Sequence, residues 1–408
     1  MNSRVKWLVV SGSTCLTVIL LTGMMLGKSA DQTSSDTYKH LRVFSEVVGH
    51  IKEEYVEDPD MKAVSLGALN GMLEAVDPFA SYLNAEQYRD YLKYKDAHRA
   101  DVGLILSKKF GYLGVLDSIP NSPAAKAGLG YSDVIEGIKG TSVRDMSLAD
   151  AYMLLQGESG TSVDLTVVRV RHPDPATVSL VRANVVLPPV ESKMLDGQVG
   201  YINVDALSAA LVKDVAAAVE KLQKDGAQKL VVDVRDCGTG SPEDGIALAN
   251  LFLKQGRITY LKGQKYPQKN FDADPAKAIT SLPLVVLTNG GTAEAAEILA
   301  SAVQDNKRGQ LVGERTHGDA ALMQPITMDD GGVIILSVAK YYSADGKAIQ
   351  DVGVTPPAPN QVKEADIQME YDDNGLPIAP SADEIEKKKT ENDPVVKKAE
   401  EVLASTRG

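Results

Sequence analysis

Residues 282–324, LPLVVLTNGGTAEAAEILASAVQDNKRGQLVGERTHGDAALMQ, decide the fold. The apolar run Leu282 to Leu287 has the length and β-branched content of a strand buried on both faces, which implies a parallel sheet. The chain then turns at Asn289-Gly290-Gly291. From Thr292 onward Ala293, Ala296, Ile298, Leu299, Ala302 and Val303 recur at helical spacing, so the turn sits at a helix N-terminus. Backbone N–H groups and the helix dipole converge there on negative charge, which suits the position to a nucleophile or an anion.

Upstream, Val199 to Val204 reads as a strand, Ala209 to Lys224 as an amphipathic helix and Lys229 to Val234 as a second buried strand. This is the β-α-β alternation of a parallel sheet. Leu187-Pro188-Pro189 is a stiff connector before it. Residues 36–98 carry two helical stripes, Leu41, Phe44, Val47, Val48, Ile51 and Tyr55, then Val64, Leu66, Leu69, Leu73 and Val76.

The chain has 408 residues, 44% of them apolar, enough for two or three domains with substantial cores. Its formal net charge of −12 argues against nucleic acid or an anionic membrane surface as the main partner, since neither would gain by counterion release. Arg4 and Lys6 precede Trp7 to Gly27, twenty-one residues without a charge, and Lys28 follows. Such a run spans a hydrocarbon core of about 30 Å. Lys28 at the −3 position of a cut after Ala30 favours an uncleaved anchor, residues 1–30, over a cleaved signal, with the rest of the chain outside the cytoplasm. Cys15 and Cys237 are the only cysteines, so the part beyond the anchor holds no internal disulfide.

The segments NGGTAEAAEI, AVQD and VGERTHGDAALMQ follow one another as the core motifs of the C-terminal processing peptidases, or tail-specific proteases, do: N-x-G-S-A-S-A-S-E-I, Q-D and V-G-E-x-T-x-G-K-G-x-x-Q. The chain resembles that family over residues 36–357. The resemblance implies a multidomain α/β protein: a helical region (36–98), a PDZ domain (99–185) and a peptidase core of the ClpP/crotonase-like type (187–357); beyond it, the charged and polar composition of residues 358–408 reads as a linker with a short terminal helix. The resemblance puts the nucleophilic serine at Glu294, the general-base lysine at Asp319 and the supporting glutamine at Met323. The turn Asp233 to Gly240 aligns with D-L-R-N-N-P-G-G, so the implied oxyanion-hole donors are the backbone N–H groups of Thr239, Gly240 and Ala295. Asp77 to Leu83 is similar to the family's DPHSSYL turn, and Gly331 to Pro357 to its closing strands. In the PDZ domain the peptide's terminal carboxylate would meet the loop Val102, Gly103 and Leu104, with Ala151, Leu154 and Leu155 on the groove side of the helix.

A Ser/Lys dyad needs a hydroxyl that can be acylated and a neutral amine that takes its proton. Glu294 and Asp319 supply neither, and two facing carboxylates repel. Asp319 is therefore expected to turn away, toward Arg315, Lys340 or solvent, leaving the site open and unassembled. His317 between them is weak ground for a metal, and no cofactor is implied. The reading is an envelope protein that binds protein C-termini without cutting, anchored in the inner membrane, self-associating or paired with an active relative. The rival is an active peptidase that uses other groups: Thr292, Ser301 or the acid pair.

Overall fold

The computed structural model describes residues 39–95, 99–109, 111–144, 146–169, 172–364, 370–371, 377–378 and 393–405. The anchor read from residues 1–30 and most of the charged linker lie outside these. The chain divides into two compact units, residues 1–68 and 69–408. In the first, helix α1 (39–54) leaves Leu41, Phe44 and Val47 exposed, and α2 (Met61–Val76) begins. Among the described residues no helix is long and apolar enough to cross a membrane.

The second unit opens with β1 (Ser81–Leu83) and α3 (Ala85–Lys95). A six-stranded antiparallel sheet follows, built from β2 (Leu104–Lys109), β3 (Tyr112–Ser118), β4 (Val134–Ile138), β5 (Thr141–Ser142), β6 (Ser162–Arg169) and β7 (His172–Val181). Their order is β2-β3-β4-β6-β7, with β5 on β4. Strand β6 shows why the sheet forms where it does. Val163, Leu165 and Val167 point inward and alternate with exposed or half-buried residues, the period-2 pattern of a half-buried strand. Two helices cross this sheet, α4 (Pro123–Lys126) and α5 (Leu148–Leu155), and the Ser147 hydroxyl caps α5 by accepting the Asp150 N–H at 3.1 Å.

The other sheet carries the site. It runs β14 (Gln310–Gly313), β13 (Leu284–Thr288), β10 (Lys229–Asp233), β9 (Val199–Asn203) and β8 (Glu191–Leu195); the first four are parallel and β8 is antiparallel to β9. Strand β13 starts two residues later than the apolar run. Pro283 has no N–H to give, and its carbonyl only receives the Leu230 N–H at 2.8 Å. Both sheet faces are covered, which explains the unbroken apolar strands. On one face α6 (Ala209–Lys224), α7 (Pro242–Phe252) and α8 (Ala295–Asp305) pack through Val215, Val219, Phe252, Ile298 and Leu299. On the other, Tyr201, Val231, Val285 and Val312 meet Val395, Val396, Ala399 and Leu403 of the terminal helix α9 (Pro394–Ser405). A third, antiparallel sheet joins β1 to β16 (Val333–Tyr342), which also pairs with β11 (Arg257–Lys262) and β15 (Ala321–Thr327). That pairing sets the Phe79 to Leu83 segment against the core.

Candidate active site

The helix expected from Thr292 begins three residues later, because residues 289–294 are used in a sharp turn. Asn289 Oδ1 accepts the N–H groups of Gly291 (3.0 Å), Thr292 (3.2 Å) and Asp236 (3.0 Å). Thr292 Oγ1 donates to the Val234 carbonyl at 2.8 Å, and the Ala293 N–H reaches the Cys237 carbonyl at 3.0 Å. So held, Glu294 sits at φ 50°, ψ −116° at the head of α8, a left-handed conformation that costs a non-glycine residue about 1–3 kcal/mol and persists only where the surroundings over-determine it. The neighbouring helix comes close: a Cβ on Gly245 of α7 would stand 2.3 Å from the Ala295 carbonyl oxygen.

Glu297, one turn into α8, is fully buried and was not singled out in the sequence. Its carboxylate accepts the Thr316 hydroxyl, the Gly318 N–H at 2.7 Å and the Asp319 N–H at 2.8 Å. The same loop is fixed from its other side, where the Asp351 N–H reaches the Gly318 carbonyl at 2.8 Å and Gln350 Oε1 takes the Ala320 N–H at 2.7 Å. Asp319 is therefore held in place, contrary to the expectation that it swings away. Lys340 is engaged elsewhere, 2.5 Å from Asp351, and Arg315 is exposed. Glu294 and Asp319 line one cavity of about 480 Å³, so the site is assembled, not relaxed. Met323 also lines it, its sulfur accepting the Ser337 hydroxyl at 2.9 Å. The His317 ring packs edge-on to Phe79 with centroids 6.3 Å apart.

Burial, then the charges of Asp319 and Glu297, push the Glu294 carboxyl up to about 8. Burial, with Asp77 and Asp351, pushes Asp319 up to about 7, and burial pushes Glu297 to about 8 against its three hydrogen bonds. The folded chain thus keeps protons between pH 4 and 8 that the unfolded chain has released, so these groups make stability fall as pH rises through that window. A pH series of denaturant unfolding should show this fall, and Glu294→Gln should remove up to about 1.4 kcal/mol per pH unit of the slope between pH 5 and 8. Parallel curves for parent and variant would contradict the raised carboxyl.

The expected oxyanion donors are not equivalent. The Thr239 hydroxyl accepts the Leu207 N–H at 3.0 Å, which ties this turn to the segment before α6. Gly238 and Gly240 line the cavity. The Ala295 N–H lies at the first helical position, where no intrahelical carbonyl can take it.

The β2–α5 groove opens into this same cavity, and its polar groups are already occupied. Asp101 Oδ1 accepts the Val102 N–H at 2.6 Å and the Gly103 N–H at 2.9 Å; Leu104 begins β2. The Tyr152 hydroxyl takes the Leu106 N–H at 2.9 Å. Of the helix residues expected in the groove, Ala151 and Leu155 are buried in the module's core and Leu154 packs half-buried against it. The helix residues that line the cavity are Leu148, Ala149 and Tyr152, at the cavity edge of the stripe that also carries Ala151 and Leu155. Burial, and then the charges of Glu294, Asp319 and Asp101, hold the Tyr152 phenol well above its usual range despite its bond to Leu106.

Two sequence-family comparisons agree with this arrangement. A PDZ-domain pattern matches residues 114–169, and that of peptidase family S41 matches residues 198–359. The carboxy-terminal processing protease CtpA of Bacillus subtilis is 31% identical over 345 residues, 83% of this chain and 72% of that protein. The carboxyl-terminal-processing protease of Synechocystis is 33% identical over 314 residues, 75% and 73% of the two chains. Among solved structures, the photosystem II D1 C-terminal processing protease superposes with a TM-score of 0.66 at 28% identity, over 78% of this chain and 86% of that one. With a PDZ module opening onto a strand-turn-helix site in an α/β core, the chain belongs to peptidase family S41, among the carboxy-terminal processing proteases.

Proposed function

We propose that this chain is a non-cleaving member of its family that captures polypeptide C-termini outside the cytoplasm. The observation that carries the reading is the chemistry at the head of α8: the cavity presents the carboxylates of Glu294 and Asp319 and the thioether of Met323 where acyl transfer requires a hydroxyl and an amine. Glu294 could form only a labile anhydride, and neither acid serves as the strong base a hydroxyl nucleophile needs. The other hydroxyls near the turn are committed inside the fold, Thr292 to Val234 O and Ser301 to Ile298 O.

The loop at Val102 and Gly103 supports carboxylate capture, since its N–H groups already hold one, that of Asp101. A peptide terminus would exchange for Asp101 there and for Tyr152 at the Leu106 N–H. The outward placement rests on the charge pattern of residues 1–30.

Calorimetry tests capture directly. Peptides ending in a free carboxylate should bind at least about tenfold more tightly than their amidated forms, since charge-assisted hydrogen bonds are the stronger ones. Asp101→Ala, which removes the internal competitor, should widen the gap. Equal binding of both forms would refute the assignment.

A further inference from the structure

Glu294 and Asp319 lie in a largely apolar cleft, and neither carboxylate has a hydrogen-bond or ion-pair partner among the described residues. Ile105, Leu106, Leu148 and Tyr152 form its PDZ side, and Phe79 and Ile298 extend the apolar wall on the core side. Two half-buried acids without a partner, side by side in a cavity of about 480 Å³, leave a negative site open to a group of opposite charge.

We propose that this cleft receives a basic side chain, lysine or arginine, from the bound polypeptide, its aliphatic stem lying along the apolar wall and its cation between Glu294 and Asp319. The inference rests on the reading that the chain holds polypeptide without cutting it, and it adds a second point of recognition beside the carboxylate loop. A long basic side chain fits such a cavity because its methylene groups bury apolar area while its head makes charge-assisted hydrogen bonds.

The surroundings set the sign of the pH dependence. Every charge acting on the pair is acidic: Glu297 on α8, Asp77 before β1 and Asp351 after β16. Tyr152 on α5, its phenol held well above its usual range, and Tyr91 on α3 also face the cavity. Nearby lysines are engaged, Lys340 with Asp351 and Lys108 with Glu74 and the Met146 carbonyl. With the carboxyls raised to about 8 and about 7, the empty site holds a proton at neutral pH that an entering cation must expel. Affinity for a basic peptide therefore rises with pH.

The test uses the purified full chain and three peptides with free C-termini, identical except for one internal residue: lysine, norleucine or glutamate. At pH 8 the lysine peptide should bind at least about tenfold more tightly than the norleucine peptide, and the glutamate peptide more weakly than both. The lysine advantage should shrink toward pH 6, and heats in buffers of different ionisation enthalpy should report release of about one proton at pH 7. Glu294→Gln combined with Asp319→Asn should bring the lysine peptide down to the norleucine level. If lysine and norleucine peptides bind equally well, the cation site is wrong while the non-cleaving binder stands. If none of the peptides binds, the binder reading itself falls and takes the cation site with it.

Discussion

Replacing Arg235 by Met should lower the unfolding free energy by about 3–5 kcal/mol, because it strands buried carboxylates that the guanidinium now pairs. Arg235 sits at the C-terminal end of β10 and is itself buried. Its Nη2 and Nε reach Asp233 at 2.6 and 2.9 Å, and its Nη1 reaches Asp393 at 2.6 Å and Glu364 at 3.6 Å. Asp393 also accepts the Val395 N–H at 2.8 Å and so caps α9. The cluster is what ties the terminal helix to the second face of the parallel sheet. Through Glu364, whose Oε1 accepts from Asn289 Nδ2 at 2.9 Å, it also reaches the turn that positions Glu294. Denaturant unfolding of the variant, with hydrogen exchange followed in residues 394–405, should show both the lost stability and an early release of α9. A loss under about 1 kcal/mol would mean the three acids find water or other partners easily, and that the cluster is peripheral.

The second large effect is a gain. Glu294→Ser with Asp319→Lys should give the protein a peptidase activity that the proposed function denies to the parent. The turn around residue 294 keeps its strained backbone, and Glu297 fixes the loop carrying residue 319, so a hydroxyl and an amine introduced there would line the same cavity. Burial would lower the amine's pKa and leave it neutral enough to act as base. The activity should still fall short of a complete site by a factor on the order of 10²–10³, the usual cost of one missing hydrogen-bonding group, since Met323 has no amide to orient the lysine. Changing Met323→Gln in addition should raise the rate. No cleavage by either variant would show that the assembled geometry is insufficient for acyl transfer.

Much of the architecture is legible in the sequence because single segments declare it. The α6 limits, Ala209 and Lys224, follow from an amphipathic period with Ser208 before it, and the strand runs at 229 and 284 are apolar because both faces of their sheet are covered. What is not legible depends on contacts between distant segments. Periodicity sets Leu148, Ala151, Tyr152 and Leu155 on one stripe of α5, but it cannot say which of them reach the cavity. The placement of Asp319 was misjudged for a similar reason. Like-charge repulsion with Glu294 argued for separation, yet the loop is held by Glu297, twenty-two residues away, and by Gln350, thirty residues away. The motif contains Glu297 in plain view; its burial and its three accepted hydrogen bonds appear only once the chain is folded. Likewise Tyr152 and Asp101 fill the PDZ groove through contacts of a side chain with a neighbouring backbone that no pattern announces.

Under the proposed function the site holds polypeptide and does not cut it. Incubating the purified full chain with an unstructured protein, and following intact substrate by gel and mass spectrometry, measures that directly. No fragments above those of a mock preparation are expected. Fragments that disappear when Glu294 is changed to Ala would contradict the proposed function, and would make the acid pair a catalytic one.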